Sequence, residues 1–278
     1  MTKVNDLNDW LGKSETKTAF IDQRQAELMA ATFDKPSLNN GDALPACWHW
    51  AWFNAAKPHS ELARDGHPKR GGADLLPPIT LPRRMWAGGE LQFIKPIIIG
   101  SEATKTSTIE KISEKTGSTG ALCIVTVLHE LSDGKEVCIS ERQNLVFRED
   151  PKQNAPKATP PSPPEGAEVS KNITPDPVTM FRYSALTFNG HRIHYDVDYA
   201  RDVEGYEGLV FHAPLTATLL MGLASEIAGK AISNFKYRAT SPLFGHETFS
   251  IHGKKEGDKI IVWAQTPSGG QAMIGEAN

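Results

Sequence analysis

Apolar and polar positions divide the chain into two stretches with a similar order of elements. In the second stretch, residues 214–229 (PLTATLLMGLASEIAG) carry leucines and small residues at helical spacing, with Pro214 suited to the first turn and Gly229 to the end. Four β-like runs follow, separated by Gly, Pro, Asp or Lys-Gly turns: ISNFKYRAT, HETFSIHG, KIIVWAQT and QAMIGEAN. This order predicts one helix packed on an antiparallel sheet.

The first stretch repeats that order. Residues 19–34 (AFIDQRQAELMAATFD) place Ile21, Leu28 and Met29 on one helical stripe. Four strand-like runs follow, and a Ser-Asp-Gly turn at 132–134 predicts a hairpin between the last two: ELQFIKPIIIG, TSTIEKISEKTG, ALCIVTVLHEL and KEVCISERQNLVFRE. The repetition predicts an α+β fold in which a helix wrapped by a curved antiparallel sheet is duplicated and fused.

A proline-rich segment separates the two stretches. Residues 151–177 hold 8 of the 19 prolines and almost no large apolar side chain, so they cannot bury enough surface to fold. They predict an extended linker between one domain at 1–150 and a second at 178–278.

The run CWHWAWF, at 47–53, places Trp48, Trp50 and Trp52 at alternate positions, which is strand periodicity. Such a stripe is typical of a core or an interface, and it could also line a substrate tunnel. His49 and His59 lack a partner motif, so we interpret them as structural.

Composition narrows the classes of function. The 278 residues carry a net charge of −3, which gives no electrostatic case for binding nucleic acid or an anionic membrane. No run approaches the ~18 apolar residues of a membrane span. The N-terminus is polar and lacks the apolar core of a signal peptide, which predicts a cytoplasmic protein.

The segment ALTFNGHRIHYD, at 185–196, concentrates polar chemistry in Asn189, His191, Arg192 and His194. Three interpretations stay open. Histidines three apart can share a helical face and bind metal, although no second pair with ligand spacing accompanies them. Asn-Gly also favours a plain polar turn. Alternatively, histidine exchanges protons near neutral pH while asparagine holds a water or carbonyl, which suits addition or removal of water.

The run GLVFHAPLTATLL, at 208–220, leads an apolar segment into the predicted helix. The first N–H groups of a helix have no internal partner and favour negative charge. The N–H groups near His212 and Ala213 could therefore bind a thioester carbonyl as it becomes an enolate. The other interpretation is that they only mark the entry to the helix.

The sequences FRYSALTFNGHRIHYDVDYA and EGYEGLVFHAPLTATLL resemble the MaoC-like hydratases and dehydratases, which have a hot-dog fold. The most similar branch comprises type 2 hydroxyacyl-thioester dehydratases and mesaconyl-C4-CoA hydratases, and GGADLLPPITLPRRMWAGGELQF also resembles it. The resemblance implies a double hot-dog, with a non-catalytic domain at 1–150 and a catalytic domain at 178–278.

The resemblance also implies roles for single residues. His194 occupies the position of the catalytic histidine, and Asn189 occupies the position of the usual aspartate, which it cannot replace as a proton carrier. His191 and Arg192 occupy the positions of an Asn-Pro pair. The implied site holds a water on Asn189 and His194 and a thioester oxygen on N–H groups at Ala213, without cofactor or metal.

The implied reaction is reversible addition of water to a 2-enoyl thioester. Arg192 can bind a substrate carboxylate or CoA phosphate, or form a salt bridge with Asp196, Asp198 or Glu204. If it binds a carboxylate, the resemblance implies mesaconyl-C4-CoA or itaconyl-CoA as substrate, giving citramalyl-CoA. The alternatives are a 3-hydroxyacyl-[acyl-carrier-protein] dehydratase of fatty-acid synthesis and a non-catalytic acyl-CoA-binding protein. A homodimer is possible.

Overall fold

The computed structural model describes residues 7–69, 75–117, 120–150 and 159–278. The helices are α1 (Gln23–Thr32), α2 (Pro177–Leu186) and α3 (Ala213–Ala228). The strands are β1 (Ser14–Phe20), β2 (Arg83–Phe93), β3 (Glu102–Gly117), β4 (Gly120–Ser132), β5 (Val137–Arg148), β6 (Val169–Ile173), β7 (Asn234–Ala239), β8 (Phe249–Glu256), β9 (Lys259–Gln265) and β10 (Gln271–Ala277).

The ten strands found within the described residues form one antiparallel sheet in the order β1-β3-β4-β5-β2-β7-β10-β9-β8-β6. The N-terminal strands make one side and the C-terminal strands the other, and β2 joins β7 with Leu91 opposite Phe235. The fused architecture of two sheet units is therefore confirmed. Joining the units also pairs two strands that would otherwise be open edges.

The helix predicted at 214–229 is present as α3. Pro214 lies in its first turn, and Gly229 ends it with a φ of 65°, a left-handed conformation that glycine adopts without strain. The helix predicted at 19–34 is shorter, because residues 19–20 belong to β1 and α1 begins after Asp22. The Asp22 carboxylate accepts the N–H of Gln25 at 2.7 Å and caps the helix.

The predicted linker ends earlier than expected. Val169–Ile173 form β6, which pairs with β8 at the edge of the sheet, and the side chains of Val169 and Ile173 pack against the main core. Two apolar residues at the ends of a five-residue run were enough to add a strand. Residues 151–158 of the linker lie outside the described residues.

The strand that the periodicity of CWHWAWF predicts is wrong. Cys47 and Phe53 have left-handed φ values of 69° and 62°, and Trp48–Ala51 form a short 3₁₀-helix between them. The predicted core position is confirmed for Trp48, which is buried and stacks on Phe33 with ring centroids 5.6 Å apart.

Different elements cover the sheet in the N-terminal and C-terminal halves of the protein. In the C-terminal half, α3 packs along β8 and β9 and buries Leu215, Leu220 and Ala224. In the N-terminal half, the described residues between α1 and β2 contain only two short 3₁₀-helices, Trp48–Ala51 and His59–Glu61. The space beside this half of the sheet belongs to a large cavity. No described helix is both long and apolar enough to cross a membrane.

Candidate active site

The segment that connects α2 to α3 forms one wall of the cavity. Phe188 adopts a left-handed φ of 48°, and the N–H of Asn189 donates to the carbonyl of Ser184 at 2.8 Å, which ends α2. A 3₁₀-helix, Arg192–His194, follows. This turn places Asn189, His191 and His194 in the cavity wall.

His194 is buried and fixed in one tautomer. Its Nδ1 lies 2.7 Å from the carbonyl oxygen of Val210, which can only accept, so Nδ1 carries the proton and Nε2 keeps a lone pair. Burial lowers the pKa of His194 to about 4; the hydrogen bond to Val210 opposes this shift and the charge of His67 adds to it. At neutral pH His194 is therefore a neutral imidazole that can accept a proton.

The ring of His212 packs against one face of the His194 ring. The rings of His194 and His212 stack with centroids 3.7 Å apart and planes 17° from parallel. Nε2 of His212 shares a 2.7 Å hydrogen bond with the hydroxyl of Ser184. Burial lowers the pKa of His212 well below its usual range, so this ring is also neutral. The His212 side chain is fully buried and is not part of the cavity lining, so only its backbone fits the predicted thioester-binding role.

Asn189 faces the same cavity. Its Oδ1 accepts the backbone N–H of His191 at 3.1 Å, which fixes the side-chain orientation and leaves the amide NH₂ as a donor. The amide can position a water or an oxygen of a substrate, but it cannot exchange a proton.

The N-terminus of α3 completes this wall. His212 is the N-cap, with φ −64° and ψ 125°, and the helix begins at Ala213, one residue before the predicted start. Ala213 and Pro214 line the cavity. The N–H of Ala213 is the first of the helix. Because Pro214 has no N–H, the next backbone donor is that of Leu215.

The cavity is large and continuous. It has a volume of about 2490 Å³ and extends from this wall across the N-terminal half of the sheet. There it meets a polar group around Glu141, which accepts hydrogen bonds from Trp50 at 2.9 Å and Gln143 at 2.8 Å and pairs with His49 at 3.0 Å. Burial opposes ionisation of Glu141, but the contacts with His49 and its neighbours outweigh burial and lower its pKa to about 2.

Comparison with known proteins assigns the chain to a family. The sequence profile described as hydroxyacyl-thioester dehydratase type 2 matches residues 47–245. The chain belongs to this family. It is also 42% identical to the mesaconyl-C(4)-CoA hydratase of Chloroflexus aurantiacus over 271 residues, which is 96% of each chain.

Solved structures confirm the fold. A MaoC-like dehydratase aligns over 98% of both chains with a TM-score of 0.74 at 13% identity. A Mycobacterium tuberculosis protein described as a double hot-dog aligns over 96% of this chain and 95% of its own, with a TM-score of 0.54 at 11% identity. The predicted double hot-dog is therefore the fold of this family member.

The structure brings Asp65 and His67 to the site, two residues that the sequence pattern did not indicate. The turn around Gly66, from the N-terminal half, docks on the 189–192 segment, where the N–H of Arg192 donates to the carbonyl of Asp65 at 2.9 Å. His67 lines the cavity, and its ring centroid is 4.3 Å from that of His191. The sequence did contain a pattern that could have indicated them: Asp-Gly-His at 65–67 is a turn dipeptide followed by a histidine. It lies in the N-terminal domain, which was predicted to be non-catalytic.

Asp65, His67 and His191 are the one group within the described ranges whose possible metal-ligand atoms lie close together, all within 4.8 Å of one another. However, Nδ1 of His67 and Oδ2 of Asp65 form a 3.0 Å hydrogen bond, and Oδ1 of Asp65 accepts the N–H of His67, also at 3.0 Å. Both carboxylate oxygens therefore already have partners, and the arrangement is a hydrogen-bonded Asp–His pair.

The predicted substrate-binding role of Arg192 finds no support. Its guanidinium pairs with Asp196 at 2.7 Å, stacks on Tyr199 at 4.2 Å and donates to the carbonyl of Arg64 at 3.1 Å. It is not among the residues that line the cavity. The internal salt bridge, the alternative interpretation, is confirmed for Asp196.

Proposed function

We propose that the chain is a hydro-lyase that reversibly adds water to a 2-enoyl-CoA thioester, with His194 as the base. The observation that carries this proposal is the tautomer of His194. A ring whose Nδ1–H is held by Val210 presents Nε2 as a proton acceptor in a cavity that Asn189 and the start of α3 also line.

The proposed steps follow from these positions. The N–H of Ala213 binds the thioester oxygen, and Asn189 and Nε2 of His194 hold a water near the β-carbon. His194 takes one proton from the water as its oxygen bonds to the β-carbon. The electrons of the double bond move toward the thioester oxygen, where the N–H of Ala213 and the helix dipole stabilise the enolate. A proton then adds to the α-carbon, and dehydration reverses these steps.

The proposed substrate class is a short dicarboxylyl-CoA such as mesaconyl-C4-CoA, giving citramalyl-CoA. The relative at 42% identity carries the name of that reaction. A cation at the site also supports this class, because Arg84 of β2 lines the cavity. Burial and the charges of His67 and His194 are the main reasons for the strongly lowered pKa of His191, and Arg84 adds to them. An arginine in this position suits a substrate carboxylate.

The test is a spectrophotometric assay of the enoyl-thioester absorbance with mesaconyl-C4-CoA, crotonyl-CoA and crotonyl-acyl carrier protein. The proposal predicts the highest kcat/KM for mesaconyl-C4-CoA, and a selective rise of KM for that substrate in Arg84→Gln. A preference for crotonyl-CoA would contradict the proposal that the substrate is a dicarboxylyl-CoA. A preference for the carrier protein would favour a dehydratase of fatty-acid synthesis. Tight binding with no change in absorbance would indicate a non-catalytic acyl-CoA-binding protein.

A further inference from the structure

We propose that His67, from the N-terminal half, is a second catalytic residue that gives and takes the proton at the α-carbon of the substrate. Asp65 is its positioning residue. This inference rests on the proposed hydration and assigns the proton that His194 does not handle. It also gives the N-terminal hot-dog a direct part in catalysis.

The chemistry requires two proton transfers, one from the water whose oxygen bonds to the β-carbon and one to the α-carbon. His194 can take the proton of the water that adds to the β-carbon, but a proton must also reach the α-carbon. Asn189 cannot supply it, because an amide does not ionise near neutral pH. Protonated His194 could return the proton it took, or a second titratable side chain in the same wall could supply it, and the position of His67 in the cavity beside His191 supports the second route.

His67 has the setting that such a group needs. The Asp65 side chain is 12% exposed and the His67 side chain 16%, and the hydrogen bond between Nδ1 of His67 and Oδ2 of Asp65 is 3.0 Å long. Burial opposes ionisation of Asp65, but its hydrogen bonds and charge interaction with His67 outweigh burial and hold the pKa of Asp65 well below its usual range. A carboxylate on Nδ1 orients the ring and stabilises a positive charge on it, and we assign the proton exchange to Nε2.

The turn that carries the pair is held against the site. A Cβ on Gly66 would lie 1.9 Å from the carbonyl oxygen of Gly190, so only glycine permits this approach. The hydrogen bond from Arg192 to the carbonyl of Asp65 fixes the same contact. Three imidazole rings lie side by side in the order His67, His191, His194. The ring centroids of His67 and His191 are 4.3 Å apart, and those of His191 and His194 are 5.5 Å apart.

His191 lies between the two rings, and the Asp65 carboxylate lies within 4.8 Å of it without a hydrogen bond to the imidazole. Within the described part of the chain, the hydrogen bonds of His191 are made by its backbone, whose N–H donates to Oδ1 of Asn189 and whose carbonyl accepts the N–H of His194. Burial is the main reason that its pKa is strongly lowered, so the ring stays neutral and has no proton to give as an imidazolium. The carboxylate of Asp65 distinguishes His67 from it.

The proposed step balances in both directions. In hydration, the N–H bond at Nε2 of protonated His67 breaks, and a C–H bond forms at the α-carbon with the electron pair of the enolate. Protonated His194 and neutral His67 then return to their starting states by exchange with solvent. In dehydration, Nε2 of His67 removes the α-proton, and His194 protonates the hydroxyl that leaves as water.

The experiment measures dehydration of a 3-hydroxyacyl-CoA with hydrogen or deuterium at the α-carbon, in the full-length parent, His67→Gln and His194→Gln. His59→Gln is the matched control, since His59 is exposed and lies in the same connecting segment. We expect His67→Gln to lose about 10²–10⁴ in kcat/KM and His59→Gln to match the parent. We also expect a larger isotope effect in His67→Gln than in His194→Gln, because removal of the α-proton becomes limiting only in the former.

Two results would overturn the assignment while leaving the proposed function intact. One is a His67→Gln enzyme within a few-fold of the parent. The other is a slow His67→Gln enzyme whose isotope effect is no larger than that of His194→Gln, as a purely structural role would give. An inactive parent would contradict the proposed function itself. Binding of a saturated acyl-CoA, measured by calorimetry, checks that the variant site is formed, and His67→Asn is a second variant if His67→Gln does not fold.

Asp65 is tested separately as a positioning residue. We expect Asp65→Asn to lower kcat with little change in KM and to raise the isotope effect in the same direction as His67→Gln, while Asp65→Glu restores part of the rate. Unchanged kcat in Asp65→Asn would contradict its role.

Discussion

The imidazole of His194 stacks on the imidazole of His212, with ring centroids 3.7 Å apart and planes 17° from parallel. The two rings are fixed from different sides, because His194 donates to the carbonyl of Val210 while His212 bonds to the hydroxyl of Ser184. The proposed base therefore packs on an aromatic ring that does not line the cavity.

Two substitutions of His212 separate its packing from its hydrogen bond. His212→Phe keeps an aromatic surface, so we expect stability within about 1.5 kcal/mol of the parent and activity within a few-fold. His212→Ala removes that surface, and we expect a loss of about 2–4 kcal/mol with a clear fall in kcat, because His194 loses its support. Urea unfolding and steady-state rates check both. Equal effects of the two variants would show that stacking does not position His194.

The contact between the two halves can be tested at Gly66. Gly66→Ala places a Cβ against the carbonyl of Gly190, and we expect a large loss of kcat as the turn moves away. Gly134→Ala is the control, since its φ of 87° matches the 89° of Gly66 but nothing lies within 4 Å of the added Cβ. Both variants carry the same backbone strain. Activity in Gly66→Ala as high as in Gly134→Ala would show that docking of the turn is unimportant.

The N–H of Ala213 can be removed almost alone. Proline is accepted in the first turn of a helix, and the extended backbone of His212 before it is compatible with a following proline. We expect Ala213→Pro to lower kcat by about 10²–10³, as loss of one oxyanion donor does, with α3 intact by circular dichroism. Ala213→Gly retains the N–H and serves as control. If the proline variant is as active as the glycine variant, this N–H does not bind the oxyanion.

Stability should fall as the protein is acidified. Burial is the main cause that lowers the pKa of His129 and of His194 to about 4, and it lowers the pKa of His191 and His212 strongly. Unfolded histidine titrates near ~6.5, so below that pH the unfolded chain binds more protons than the native one. We expect the midpoint of thermal unfolding to be constant above about pH 7 and to drop progressively from pH 6.5 toward 4. A midpoint that is flat across this window would contradict the burial of neutral histidines.

Local patterns predicted the parts of the fold that local chemistry determines. Pro214 and Gly229 mark the ends of α3 because each has a backbone preference that acts within one turn. The hydrogen bond of Asn189 to the N–H of His191 is likewise a property of an Asn-Gly turn. These features placed the segment that carries the proposed base, and the start of the helix, close to where they lie.

The pairing of His67 with His191 could not be predicted in this way. The two residues lie in different hot-dog units, and their contact depends on how β2 joins β7 and on the absence of a side chain at Gly66. No periodicity or spacing within either segment reports on that packing. The alternate tryptophans predicted a strand for a different reason: their spacing does not report the left-handed conformations of Cys47 and Phe53, which enclose a 3₁₀-helix.

His194 as the base is tested most directly by the hydration rate of mesaconyl-C4-CoA in His194→Gln relative to the parent, followed by loss of the enoyl-thioester absorbance. We expect an active parent and a fall of about 10²–10⁴ in the variant, with binding of a saturated acyl-CoA and thermal unfolding little changed. A variant within a few-fold of the parent, or a parent that hydrates no enoyl thioester, would contradict this assignment.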